Sequence, residues 1–321
     1  MRARIIANKH SGGIHAHNHQ QHQLEQVVNK LRQHGWETEL WETNGPGSAG
    51  RLAAQAIADG AEAIISAGGD GTLNEVIQAL AGSSVALGIL PMGTINVWAR
   101  EVGIPLDPLE AANVLMEGVH RRIDLGMANE RYFLLMAGVG IDAKITSVVE
   151  QHSLKRWGVL SYLLTGTFVG LGPLDFRLRL RMDGRRFRTR AHLLIIGNTR
   201  LYGGLMTFTY RACCDDGQLD ICIVRRQPFW GRLLVALNAI RKHHPLGPRV
   251  SYERFQSLAI DASSPVPIQV DGEPIGTLPV IFRVAPQMLT VIVPRSAPDG
   301  LFCRETVDAS DTDPEHYSVK R

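Results

Sequence analysis

The chain has 321 residues, 45% of them hydrophobic and 20% charged, with a net charge of +3. That size predicts two domains, each able to bury its own core, and the composition excludes disorder over most of the length. A charge this small does not by itself point to nucleic acid.

The first third alternates strand and helix patterns. It predicts strands over Arg2–Ala7, Glu37–Glu42, Ala63–Ala67 and Ala86–Leu90, and helices over Gln21–His34, Arg51–Asp59 and Leu73–Leu80. The expectation is a doubly wound α/β domain over residues 1–124. In such sheets ligands sit beyond the carboxyl ends of the strands. The polar, glycine-rich loops Asn8–Gly13, Thr43–Gly50, Gly68–Thr72 and Pro91–Asn96 all fall there, so four loops are expected to converge on one crevice. Beyond Asp124 the pattern turns β-rich: Tyr132–Ala137, Phe176–Met182, Phe187–Ile196, Leu219–Val224, Ser257–Ile260, Pro267–Val270, Val280–Val284 and Met288–Val293. A β-sandwich-like second domain over residues 125–293 is expected, with Asp183-Gly184 as a hairpin turn. A segment near 294–307 is expected to return to the first domain. The acidic end, 308–321, reads as a disordered tail.

The most informative string is Ser66-Ala-Gly-Gly-Asp-Gly-Thr-Leu-Asn-Glu75, directly after an apolar strand and opening a helix. Gly68, Gly69 and Gly71 let a backbone approach an anion at a helix N-terminus, through positive φ where needed. Asp70 adds a carboxylate suited to a phosphate-bound Mg²⁺. The plainer reading is a tight strand-to-helix turn capped by Thr72.

Three further motifs align with this string: Asn8-Lys-His-Ser-Gly12, Leu87-Gly-Ile-Leu-Pro-Met-Gly-Thr-Ile-Asn96 and Val270-Asp-Gly-Glu273. With Ile123-Asp-Leu-Gly126 and Asp216-Gly-Gln-Leu-Asp220, they resemble the diacylglycerol kinase catalytic-domain family, which includes sphingosine kinases and bacterial lipid kinases. The resemblance runs from about Arg2 to Pro294. It implies transfer of a phosphoryl group from Mg-ATP to a lipid hydroxyl, with ATP between the two domains. By the same resemblance, Asn8, Ser11, Gly12, Thr43, Gly68, Gly69, Asp70, Gly71, Thr72, Asn74, Thr94 and Asn96 contact the nucleotide. Glu273 is the general base and Asp271 its orienting or metal-side partner, a role favoured if the two carboxylates raise each other's pKa. Standing alone, Asp271-Gly-Glu273 also reads as an ordinary hairpin turn. The family's structural Mg²⁺ is implied at Cys213 (carbonyl), Asp216 (carboxylate) and Gln218 (carbonyl), linked to the nucleotide site through Asp124. Oxygen donors suit such a hard cation. Lys9-His10, Val97 and Tyr210 depart from the family's usual residues, and Val97 replaces an aspartate near the nucleotide. An NAD kinase-like phosphotransferase shares Gly-Gly-Asp-Gly-Thr and is the rival enzyme. A nucleotide-sensing protein with weak catalysis is the rival of another class.

Other signals are weaker. The four cysteines, Cys213, Cys214, Cys222 and Cys303, show no metal-ligand spacing and read as reduced thiols. His15, His17, His19 and His22 read as surface histidines. Trp157–Leu174 has no charge over 18 residues, but its glycines and Pro173 argue against a spanning helix. The start is too short in apolar residues for a signal peptide, which predicts a cytosolic chain on the inner membrane face. Alternation puts Arg177, Arg179 and Arg181 on one strand face, which reads either as membrane docking or as a solvated surface. Nucleic acid is not expected, because stacking aromatics are missing from this stretch.

Overall fold

The computed structural model describes residues 1–8, 17–140, 175–204, 206–241 and 249–304. The first domain carries β1 (Arg2–Ala7), α1 (His17–Gln33), β2 (Glu37–Glu42), α2 (Ser48–Ala58), β3 (Ala63–Gly68), α3 (Asp70–Leu80) and β4 (Ala86–Pro91), followed by α4 (Val97–Val102) and α5 (Pro108–Glu117). β1, β3 and β4 are buried nearly throughout, as strands covered on both faces must be, with β3 and β4 largely apolar and Arg4 buried in β1. They pair in parallel in the order β2-β1-β3-β4, with α1 against α5 and α2 against α3 as the covering layers. Asp107 caps α5 by accepting from the Leu109 and Glu110 amides.

The second domain is built from β5 (Val119–Ala128), β6 (Arg131–Phe133), β7 (Met136–Gly140), β8 (Phe176–Met182), β9 (Arg185–Gly197), β10 (Leu201–Tyr202), β11 (Met206–Thr207), β12 (Leu219–Arg225), α6 (Phe229–Ile240), β13 (Val250–Phe255), β14 (Ser257–Ala262), β15 (Pro267–Val270), β16 (Glu273–Thr277) and β17 (Val280–Val293). β8 alternates buried and exposed residues along its whole length, so Leu178 and Leu180 enter the sandwich core beside Phe282 and Phe255. The long β9 pairs with β8 through its first half and with β7 and β12 through its second, which joins the strands around one interior.

β17 joins the two domains. It pairs antiparallel with β14 and β5, bends between Ala285 and Leu289, and then runs parallel to β4. The two separate strands expected at Val280–Val284 and Met288–Val293 are therefore one strand with an irregular bend. Asp124 lies inside β5, not at its end.

Several other expectations need correction. The helix predicted from Leu73 starts at Asp70, with Gly69 rather than Thr72 at its cap position. Tyr132–Ala137 is not one strand: it breaks at Leu134-Leu135, for a reason given below. The cysteines are not all reduced thiols. Cys213 and Cys303 form a disulfide with Cα atoms 6.1 Å apart, while Cys214 and Cys222 are free and buried. Ninety residues separate the bonded pair, so spacing along the chain carried no sign of it. The residues after β17 make the contact. Leu301 is buried, its carbonyl accepts from the Cys214 amide, and Asp215 accepts from the Cys303 and Arg304 amides. Trp157–Leu174 and the acidic end lie outside the described residues. Among the described residues, no helix is long and apolar enough to cross a membrane.

Candidate active site

The carboxyl ends of β1, β2, β3 and β4 bring the expected loops together. Asn8 sits at the centre: its Nδ2 donates to Thr72 Oγ1 at 3.2 Å and its Oδ1 accepts from Thr43 Oγ1 at 3.5 Å. Three candidate nucleotide residues from three loops thus form one connected group. Ser11 and Gly12, with His10, lie outside the described residues.

The glycines act by close approach. None of Gly68, Gly69 and Gly71 has a positive φ, contrary to one expected use of them. A Cβ on Gly68 would lie 2.6 Å from Thr72 Oγ1, and one on Gly93 would lie 2.3 Å from the Gly69 Cα. The loop after β3 and the loop after β4 therefore touch backbone to backbone. Asn96, at φ 54°, closes the second loop by accepting from the Gly93 amide and donating to the Gly93 carbonyl, both at 2.9 Å. Thr94 stands exposed in that loop.

Asp70 locks the two loops together. Its carboxylate accepts from the Val97 amide at 2.7 Å and the Asn96 amide at 3.1 Å, at the start of α4. Burial holds its carboxyl above the usual aspartate range, while these amides pull it down. Val97 contributes its backbone here, and its buried side chain lines the cleft. At the other end of α4, Glu101 accepts from the Arg200 and Leu201 amides, so one short helix ties the loops after β3 and β4 to the second domain.

Sequence reasoning assigned no role to Glu75, although it stands in the glycine string. Its carboxylate accepts from the Gly47 amide at 2.7 Å and the Ala49 amide at 2.9 Å, and so occupies the N-terminus of α2. The N-terminus of α3 has no side-chain cap. Asn74, fully buried in α3, accepts from Gln78 through Oδ1 and leaves its Nδ2 without a protein partner among the described residues.

The Asp271-Gly272-Glu273 turn is a hairpin, with φ of 45° at Asp271 and 88° at Gly272 between β15 and β16. Asp271 points its carboxylate at the β6–β7 segment and accepts from the Leu134, Leu135 and Met136 amides at 2.7, 2.9 and 2.9 Å. Those three bonds are why the strand expected at Tyr132–Ala137 is broken. Glu273 reaches the same segment through an ion pair with Arg131. Its Oε1 lies 3.9 Å from where a Cβ on Gly71 would stand, beside the first turn of α3. Arg131 was not found from the sequence, since no motif marked it.

Burial pushes the Asp271 carboxyl up to about 6; the three amides oppose this and the Asp70 charge adds to it. Asp70 thus stands close enough to Asp271 for its charge to be felt, though burial is the larger cause. A cleft of about 210 Å³ lies between them, walled by Val97, Met136, Leu201 and Tyr202. The fold favours the protonated Asp271, so its stabilisation is complete below about pH 4 and is lost as the pH rises through about 6. The effect should reach about 2 kcal/mol, after discounting for a residue that is only half-buried. Asp220, also pushed to about 6 by burial, adds a slope of the same sign. Thermal unfolding between pH 4.5 and 7.5 should show stability falling as pH rises, and Asp271→Asn should flatten that slope. Parallel profiles for the two proteins would exclude Asp271 as a source.

The candidate metal segment lies beside the bend of β17. Asp124 is fully buried and accepts from the Gly217 amide at 2.6 Å and the Gln287 amide at 2.7 Å, so it fastens the 214–217 loop to that bend. Asp216 accepts from the Gln218 amide, and its other oxygen faces Arg254 at 3.4 Å. The oxygens of Cys213, Asp216 and Gln218 are the right kind of donor for Mg²⁺, and Arg254 is the cation that now stands beside the Asp216 carboxylate.

Residues 2–128 match the diacylglycerol kinase catalytic domain, and residues 136–293 match the YegS C-terminal NAD kinase beta sandwich-like domain. The chain is 32% identical to a diacylglycerol kinase of Bacillus subtilis (strain 168) over 94% of this chain and 99% of the relative. The chain belongs to the diacylglycerol kinase catalytic-domain family. A second member, a diacylglycerol kinase of Staphylococcus carnosus, is 32% identical over 92% of this chain and 95% of its own. The fold agrees: a solved diacylglycerol kinase structure from Bacillus anthracis superimposes with a TM-score of 0.76 at 24% identity, covering 92% and 97% of the two chains. In this family member the expected residues Asn8, Thr43 and Thr72 form one group, Asp70 and Asp271 share a cleft, and Glu273 stands at the α3 terminus.

Proposed function

We propose that this protein is an ATP-dependent lipid kinase that transfers the γ-phosphoryl group of Mg-ATP to the hydroxyl of a lipid alcohol. Diacylglycerol is the first substrate to test, because the relatives are named for it. The observation that carries the reading is the position of Glu273, a carboxylate held beside the uncapped first turn of α3.

The chemistry needs little more than positioning and charge neutralisation. Amides at the start of α3, with the polar group around Asn8, Thr43 and Thr72, would hold phosphate oxygens. Asp70 keeps the two loops at a fixed separation and, with Asp271, supplies negative charge toward the metal side of the nucleotide. Mg²⁺, when bound, offsets the charge of the phosphates. Glu273 would take the proton from the acceptor hydroxyl as its oxygen bonds to the γ-phosphorus and the bond to the ADP oxygen breaks. A structural Mg²⁺ at Cys213, Asp216 and Gln218 belongs to the same proposal, as does peripheral attachment to the cytosolic membrane face.

The test is transfer of labelled γ-phosphate from Mg-ATP to a panel of lipid alcohols in mixed micelles, with NAD as a soluble acceptor. A labelled lipid is the expected result and names the substrate. Label on NAD would overturn the lipid assignment, and nucleotide binding with no transfer would favour the sensing role.

A further inference from the structure

The register of β8 against β9 creates an arrangement that the spacing of one strand does not reveal. Arg177 stands opposite Arg190, Arg179 opposite Arg188 and Arg181 opposite Arg186. All six are exposed, while Leu178, Leu180 and Phe187 turn to the other face. Like charges directly opposite weaken a sheet, so the folding of this hairpin gains nothing from them. On the neighbouring β14, Asp261 pairs with Arg179 at 2.7 Å, one acid against a six-arginine ladder. Beside the ladder runs an open groove of about 640 Å³, flanked by Arg179, Arg181, Arg186 and Arg188 and closed on its far side by Pro279 and Ile281.

We propose that this face is a docking surface for an anionic phospholipid bilayer, with lipid phosphates seated in the groove. The guanidinium fork matches phosphate oxygens two at a time, and residues two apart on a strand are spaced about 6.6 Å, giving two parallel rows of donors. A flat, extended cationic sheet face suits a planar anionic surface. Single-stranded nucleic acid fits less well, since Ser257, Ala259, Asp261 and Ile281 continue the face and no aromatic platform is among them. The inference rests on the lipid-kinase reading for the source of the phosphates.

The experiment uses the full chain and sedimentation with phosphatidylcholine vesicles, with and without phosphatidylglycerol. The wild type should bind the anionic vesicles and release them as salt rises. The combined variant Arg177→Gln, Arg181→Gln, Arg188→Gln and Arg190→Gln should bind about fivefold more weakly for each arginine removed. Its melting temperature should not fall, because like-charge pairs have been relieved. Lys at the same four positions should keep most of the binding, which guards against a variant that fails to fold. Phosphorylation of a short-chain, water-dispersed acceptor should be unchanged in the Gln variant while phosphorylation of vesicle-borne substrate drops. Unchanged vesicle binding in the Gln variant overturns the proposal. So does RNA, DNA or an acidic polypeptide held tightly by the wild type when anionic vesicles are not. Vesicle binding that depends on the arginines in a protein that phosphorylates no lipid upholds the surface and overturns the catalytic reading instead.

Discussion

Glu273→Gln is expected to lower kcat at least about 100-fold while nucleotide affinity changes little, on the usual worth of a positioned base. Glutamine keeps the length and shape of the side chain beside α3 but cannot accept the hydroxyl proton, and it loses the charge that pairs with Arg131. Both partners of that pair are about one-third exposed, at 36% and 35%, so the pair itself contributes little to stability. The variant should therefore fold normally. A base acts in the transition state, so kcat and kcat/KM should fall together. Arg131→Gln separates positioning from proton transfer: it removes the ion-pair partner of Glu273 without removing its basicity, and the loss should be smaller. Labelled-phosphate kinetics with a parallel nucleotide titration measure both. Near-normal turnover of Glu273→Gln would remove this residue from the chemistry.

Gly93→Ala should damage the site from the nucleotide side. The new methyl group would lie 2.3 Å from the Gly69 Cα, 2.7 Å from Asn96 Oδ1 and 3.1 Å from the Gly69 amide nitrogen. Two of these neighbours are backbone, so no side-chain rotation relieves the clash. The loops must part, which strains both the ring that Asn96 closes with Gly93 and the bracket that Asp70 makes to Asn96 and Val97. Overpacking of this kind costs about 1–3 kcal/mol, and nucleotide affinity should fall by at least about tenfold with it. Gly184→Ala is the control. Its φ of 84° makes alanine unfavourable by about 1 kcal/mol, yet nothing stands within 4 Å of the new atom and it lies in the β8–β9 turn. Denaturant unfolding and nucleotide titration of both variants should show a stability loss in each and an affinity loss in Gly93→Ala alone. Equal nucleotide affinity in the two would mean that the loop contact does not shape the site.

Local chemistry determined much of this protein. Short apolar runs placed β3 and β4 of the first domain within a residue, because strands buried on both faces tolerate few polar side chains. The glycine string showed where the tight turn between β3 and α3 lies, since only glycine allows such a close approach. Three-dimensional packing decided what those residues do. Asp70 spends its carboxylate on amides 26 and 27 residues away, Glu75 caps a different helix, and Asp271 breaks a strand 135 residues before it. Arg131 and the Cys213–Cys303 bond were invisible for the same reason. A hydrogen bond, ion pair or disulfide between segments far apart in the chain depends on where two backbones meet, and neither composition nor spacing along one segment carries that distance.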